Sequence, residues 1–283
     1  MLLVFKASLV GLAVYLSTLA GRRWGHKLAG WIAGLPIIAG PICAFMAYDL
    51  GSAFVQKTAI ATLQVIPAIG VFCLTYALLA RTGKWWLCLG SAYVTYWLSA
   101  SACQQLRSPL TWFPDWLSND VFSLPFNLQI ASALAWWTWA VLGWGIALLL
   151  LPRANHVSKA LLIPKTELLA RITFAVVLAL TIGLTAPHLG SAWSGLLLGI
   201  PISGSVLPVF TLRLHGVAST YQVIRGFLLG IFSFVTFFAV LATGAGEYHT
   251  FTVFVIGVIS ALLSARFLAL MMRLASRHRH QSA

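Results

Sequence analysis

Glycine and proline recur together at two places where the chain is otherwise a long apolar helix former. The first cluster is Gly34, Pro36, Gly40 and Pro41; the second is Gly199, Pro201, Gly204 and Pro208. Proline removes a backbone donor and crowds the preceding turn, while glycine lets the chain unwind. Each cluster therefore frees backbone amides and carbonyls inside an apolar stretch. Amides at a half-helix N-terminus favour an anionic or polar group, and Ser203 and Ser205 add hydroxyls at the second cluster. The chemistry that follows is binding of a small polar, anionic or amphipathic solute. The competing use of such a cluster is a packing kink, in which small residues let helices approach closely.

Few polar side chains are available to complete a site. Lys6 and Arg171 each lie about one turn inside an apolar run, within snorkelling reach of headgroups, and are candidates for charge contact. Arg266 sits roughly two turns from the end of the last run, where snorkelling is harder. Gln64, Gln104 and Gln105 are candidates to line the same cavity, although interhelical hydrogen bonding is the commoner use of such residues. No Asp or Glu falls near the middle of a run: Asp49 and Glu167 stand at run ends, and Asp115, Asp120 and Glu247 lie between runs. A buried carboxylate is the usual proton or sodium carrier, so cation antiport through a central carboxylate is not expected. The histidines lie in loops or at the tail, without metal-ligand clustering, and no nucleophile elbow, P-loop or dinucleotide fingerprint occurs. The sequence predicts neither enzyme, cofactor nor metal site. Cys43, Cys73, Cys88 and Cys103 all sit in apolar runs and read as small buried hydrophobes.

The elements that must position these residues follow from composition. Of 283 residues, 60% are hydrophobic and 8% charged, and the mean hydropathy is +0.92. Water-soluble domains are nearer a quarter charged, so a soluble fold is excluded. The net charge of +13 comes with too little polar surface for a nucleic-acid binder. Nine runs of a length to cross a bilayer lie near 2–20, 28–48, 59–80, 85–104, 128–151, 168–187, 192–212, 224–243 and 250–272. The fold class expected is an all-α polytopic membrane protein. With the N-terminus outside, the inner loops and tail take thirteen of the eighteen basic residues, among them Arg22, Arg81, Lys84, Arg153, Arg213 and Arg273. That gives N-out, C-in orientation, with anionic headgroups as the inner partner. Ser17-Thr18-Leu19-Ala20 has the look of a signal-peptide cleavage site, but the first run also belongs to the repeat described next, which argues for its retention. Residues 105–127, with Trp112, Phe113 and Trp116, read as an outer interfacial segment, and 153–165 as a basic stretch along the inner leaflet.

Shifted by 165 residues, the chain matches itself without a gap: Lys6 falls on Arg171, Gly25 on Gly190, Gly34 on Gly199, Pro36 on Pro201 and Gly51 on Gly216. The chain divides into a first four-helix repeat (1–106), a linker with one helix (107–165) and a second four-helix repeat with a basic tail (166–283). Four spans plus one is an odd number, so the second repeat enters the membrane from the opposite side. Such a 4+1+4 inverted-topology repeat is typical of secondary transporters, whose sites lie at paired helix breaks.

The first repeat resembles the small four-span bacterial inner-membrane proteins of the GlpM type, over roughly its first 80 residues. The features that carry the resemblance are Phe5-Lys6-Ala7, Ala33-Gly34-Leu35-Pro36, Pro41 and Asp49-Leu50-Gly51; the second repeat has Leu214 in place of the acidic residue. The resemblance implies an inner-membrane location and a four-span unit, without a substrate. Two functions follow as expectations. The first is a secondary transporter or exporter with its site at the two breaks. The second is a lipid scramblase or an accessory subunit of an envelope-biogenesis complex.

Overall fold

A computed structural model of the protein describes residues 8–16, 31–106, 128–152, 165–246 and 248–281. Lys6, the segment around Trp112 and Trp116, and the basic stretch up to residue 164 lie outside the described residues.

The described residues are all helical, without a strand. In chain order the helices are α1 (8–16), α2 (Ala39–Leu50), α3 (Ser52–Gln64), α4 (Ile66–Leu79), α5 (Trp85–Gln105), α6 (Leu128–Leu150), α7 (Lys165–Leu198), α8 (Ile202–Gly244) and α9 (Thr250–Gln281). Four helical stretches are long and apolar enough to cross a membrane: Ser52–Thr82, Ala133–Leu150, Thr166–Gly244 and Thr250–Met271. The third of these has 79 residues. At 1.5 Å per residue it would measure about 120 Å straight, some four hydrocarbon thicknesses. It is instead broken at Gly199–Pro201 and cornered at two glycines, Gly190 (φ 81°, ψ 178°) and Gly216 (φ 79°, ψ −173°).

Those corners are the main departure from the sequence expectation of loops between runs. Gly51 joins α2 to α3 at φ 88°, ψ 162°, a conformation essentially confined to glycine. Gly216 adopts nearly the same backbone 165 residues later. One residue thus replaces a loop, because glycine alone pays no Cβ penalty there.

Helix α8 is buried on nearly all its faces through its middle, from Tyr221 to Ala242. The outer helices show the reverse pattern. On α6 Leu149 is 79% exposed, and on α9 Phe251, Leu262, Leu263 and Phe267 face outward. An exterior this apolar is compatible with lipid. Helix α6 is tied to α3 and α8: the Trp139 indole donates to Gln64 O at 3.1 Å, and the Trp144 indole donates to Leu228 O. Near the other edge α1 rests on α7, where a Cβ at Gly11 would touch Val176 Cγ2 at 3.2 Å.

Candidate functional site

Both Gly-Pro clusters unwind in the same way. At the first, the Leu35 amide donates to Ile32 O (3.2 Å) and the Ile37 amide to Leu35 O (2.8 Å). At the second, the Ile200 amide donates to Leu197 O (3.1 Å) and the Ile202 amide to Ile200 O (2.8 Å). An amide bonded two residues back marks an inverse γ-turn, and Pro201 (φ −80°, ψ 66°) has its dihedrals. The helix stops, makes one tight turn at Pro36 or Pro201, and restarts as α2 or α8.

The two turns face one cavity of about 50 Å³. Its walls pair up at the repeat spacing: Gly34 with Gly199, Leu35 with Ile200, Ile38 with Ser203, and Ile69 with Phe234. No ionisable side chain is among the lining residues, and Ser203 supplies the hydroxyl. The site's polarity therefore comes from backbone. The first-turn amides of Ser203 and Gly204 have no intrahelical acceptor, and the restart of α8 brings its positive dipole end to the cavity. The carbonyl end of α7, at Leu198, meets the same space.

The breaks are held by close packing and by two tyrosines. A Cβ on Gly34 would lie 2.7 Å from Gly230 Cα, and one on Gly199 would lie 2.7 Å from Val65 Cγ2. Glycine is needed at both points because another helix occupies the space of a side chain. On α5, Tyr96 donates to Leu196 O (2.8 Å) and Tyr93 donates to Ser205 Oγ (3.0 Å), so the pair bracket the second break.

Of the residues singled out in sequence, Gly34, Gly199, Pro201 and Ser203 line the cavity, and Pro36 forms the turn beside it. Ser205 is buried behind it and donates to Ile202 O at 2.8 Å. Pro41 and Pro208 lie inside α2 and α8 and are not lining residues. Gln64 contributes its carbonyl to Trp139 and does not line the space. Arg266 is exposed on α9, away from the cavity.

Arg171 departs most from expectation. Its Nη2 lies 2.6 Å from Glu167 Oε1 one turn earlier, with both side chains more than nine-tenths buried. It neither snorkels to a headgroup nor reaches the cavity, whose nearest lining residue on α7 is Leu178, about 10 Å further along. A charge this deep needs a partner, and Glu167, read in sequence as a run-end residue, provides it. Sequence reasoning missed Phe227, Ile231, Phe234, Ile69 and Leu178 as cavity walls. No signal marks them, since every face of these helices is apolar. The tyrosines had one, a spacing of three on a single helix face.

Comparison with family models, curated proteins and solved structures yields no match. The resemblance to GlpM-type proteins rests on the motifs quoted above.

Proposed function

We propose that this chain is an integral membrane secondary transporter or exporter of a small polar, anionic or amphipathic solute, bound between the two broken helices. The observation that carries the reading is the small, partly open cavity at the paired γ-turns, lined by backbone of both turns and by Ser203. A site of this size has to open for any solute to pass. In this reading it opens by rocking of one repeat against the other.

Contacts between the halves support an inverted 4+1+4 duplication. They recur when both partners are exchanged at the 165-residue offset. Gly34 against Gly230 becomes Gly199 against Val65. Arg81 against Tyr221 becomes Gly246 against Gln56. Gly11 and Val176, equivalent positions, touch each other. That is the behaviour of a pseudo-two-fold axis running through the cavity. The axis exchanges opposite ends of the bundle, as it must if the second repeat is inverted. Together with the basic-loop bias, it favours nine spans, N-out and C-in, in a bacterial inner membrane with anionic headgroups on the inner side.

In this reading a hydrogen bond between helices serves as a gate at each end. Arg81 Nε donates to the Tyr221 hydroxyl (3.2 Å) at one end, and Gln56 Nε2 donates to Ala242 O (3.1 Å) at the other. Breaking one while keeping its counterpart opens the cavity to one side.

The test is flux in proteoliposomes across a panel of small zwitterionic, anionic and neutral solutes. Gly34→Leu and Gly199→Leu fill the close approaches and are expected to abolish transport while membrane insertion persists. Unchanged flux in both variants removes the reading.

A further inference from the structure

Outside the cavity, the end of the bundle that carries the Arg81–Tyr221 contact gathers exposed cations around tryptophan. Arg81 and Lys84 are exposed at the start of α5, and Arg213 of α8 is exposed with its guanidinium carbon 5.8 Å from the centre of the Trp85 ring. The bond from Arg81 Nε to Tyr221 leaves the outer edge of that guanidinium at the surface. Neither described carboxylate neutralises them. Glu167 is taken up by Arg171. Asp49 stands beside Gly51, beyond the opposite end of the Ser52–Thr82 stretch from Arg81.

A groove leads away from these cations along the outer face of α5. It is shallow and largely open, with about 390 Å³ of space over Trp86, Leu87, Gly90, Ser91, Val94 and Thr95 of this one helix. Trp86 and Val94 are each 59% exposed, and a Cβ on Gly90 would meet nothing within 4 Å. From Trp86 to Thr95 the groove follows about 13 Å of helix, close to half of a hydrocarbon core of about 30 Å. That is the depth of one leaflet, and hence of one acyl chain. Cations at the mouth, indoles at headgroup level and an apolar trough one leaflet deep match the parts of one amphiphile in order.

We infer that this surface is a binding site for one anionic phospholipid, its phosphate at Lys84 and Arg213 and one acyl chain along Gly90. The site requires the chain to sit in a bilayer but not to transport anything. A failed flux assay therefore leaves it standing, and its own failure leaves transport standing.

The experiment is native mass spectrometry of the purified full chain exposed to equimolar phosphatidylglycerol and phosphatidylcholine with the same acyl chains. The wild type is expected to retain one phosphatidylglycerol per chain, in about tenfold preference over phosphatidylcholine. Lys84→Gln with Arg213→Gln is expected to abolish the preference, and Gly90→Leu, which fills open space without touching the core, to lower retention of both lipids about tenfold. Equal retention of the two lipids by the wild type overturns the inference. So does a Gly90→Leu variant that binds like the wild type, because attraction would then be to the charged surface alone. Arg81 is left unchanged in these variants because of its bond to Tyr221, so loss of folding does not confuse the result.

Discussion

Replacing Tyr96 with phenylalanine isolates the energetic cost of the second helix break. In a continuous helix Leu196 O would accept from the amide four residues ahead. Unwinding diverts that amide, on Ile200, to Leu197 O. The Tyr96 hydroxyl takes its place at 2.8 Å, from a fully buried ring. A buried carbonyl deprived of its donor costs about 1–3 kcal/mol. Hydrogen bonds between helices in an apolar surround average nearer 0.6 kcal/mol, with a maximum of about 1.7. Since the diverted amide cannot return without rebuilding the break, the upper part of that range applies, about 1.5 kcal/mol. At roughly 2–4 °C per kcal/mol, thermal unfolding in nanodiscs should fall by about 3–6 °C. Tyr76→Phe is the matched control. Its hydroxyl is equally buried but finds no hydrogen-bond partner among the described residues, so its removal should leave the transition unchanged or raise it. A Tyr96→Phe protein as stable as the wild type, beside a weakened Tyr76→Phe, would refute the reasoning.

Two further outcomes follow from the same contacts. Glu167→Gln strands Arg171 in the interior and should cost about 3–5 kcal/mol, whereas the double change to Glu167→Leu and Arg171→Met should recover most of it; equal losses in the two proteins, by thermal unfolding, would show that the pair is not what Arg171 needs. Cysteine pairs at Arg81 with Tyr221, and at Gln56 with Ala242, should each arrest flux when cross-linked and release it on reduction. The four native cysteines are buried and should not interfere. Transport at the wild-type rate through both cross-linked forms would rule out gating at these ends.

Much of the fold is legible because its causes are local. Glycine and proline act on their own backbone, so the breaks fall where Gly34-Pro36 and Gly199-Pro201 stand, and the shared offset carries over to matching γ-turns and to the twin corners at Gly51 and Gly216. Side-chain partners are another matter. Arg171 and Glu167 are a helical turn apart and so pairable from sequence, yet whether Arg171 faces lipid or protein depends on which side of α7 its neighbours cover. Gln64 had the right depth for a cavity and the wrong face.

From the sequence alone follow the apolar helical character, the cationic bias and the two points where helices must unwind. These are properties of composition and of single residues acting on their own dihedrals. Tertiary structure decides that the unwound segments converge on one small cavity, that phenylalanines of α8 wall it, that tyrosines of α5 clasp it, and that the candidate cations Arg171 and Arg266 stay away from it. When every face of a helix is apolar, periodicity no longer says which face turns inward. Only the approach of neighbouring helices, as close as Gly34 to Gly230, makes that choice.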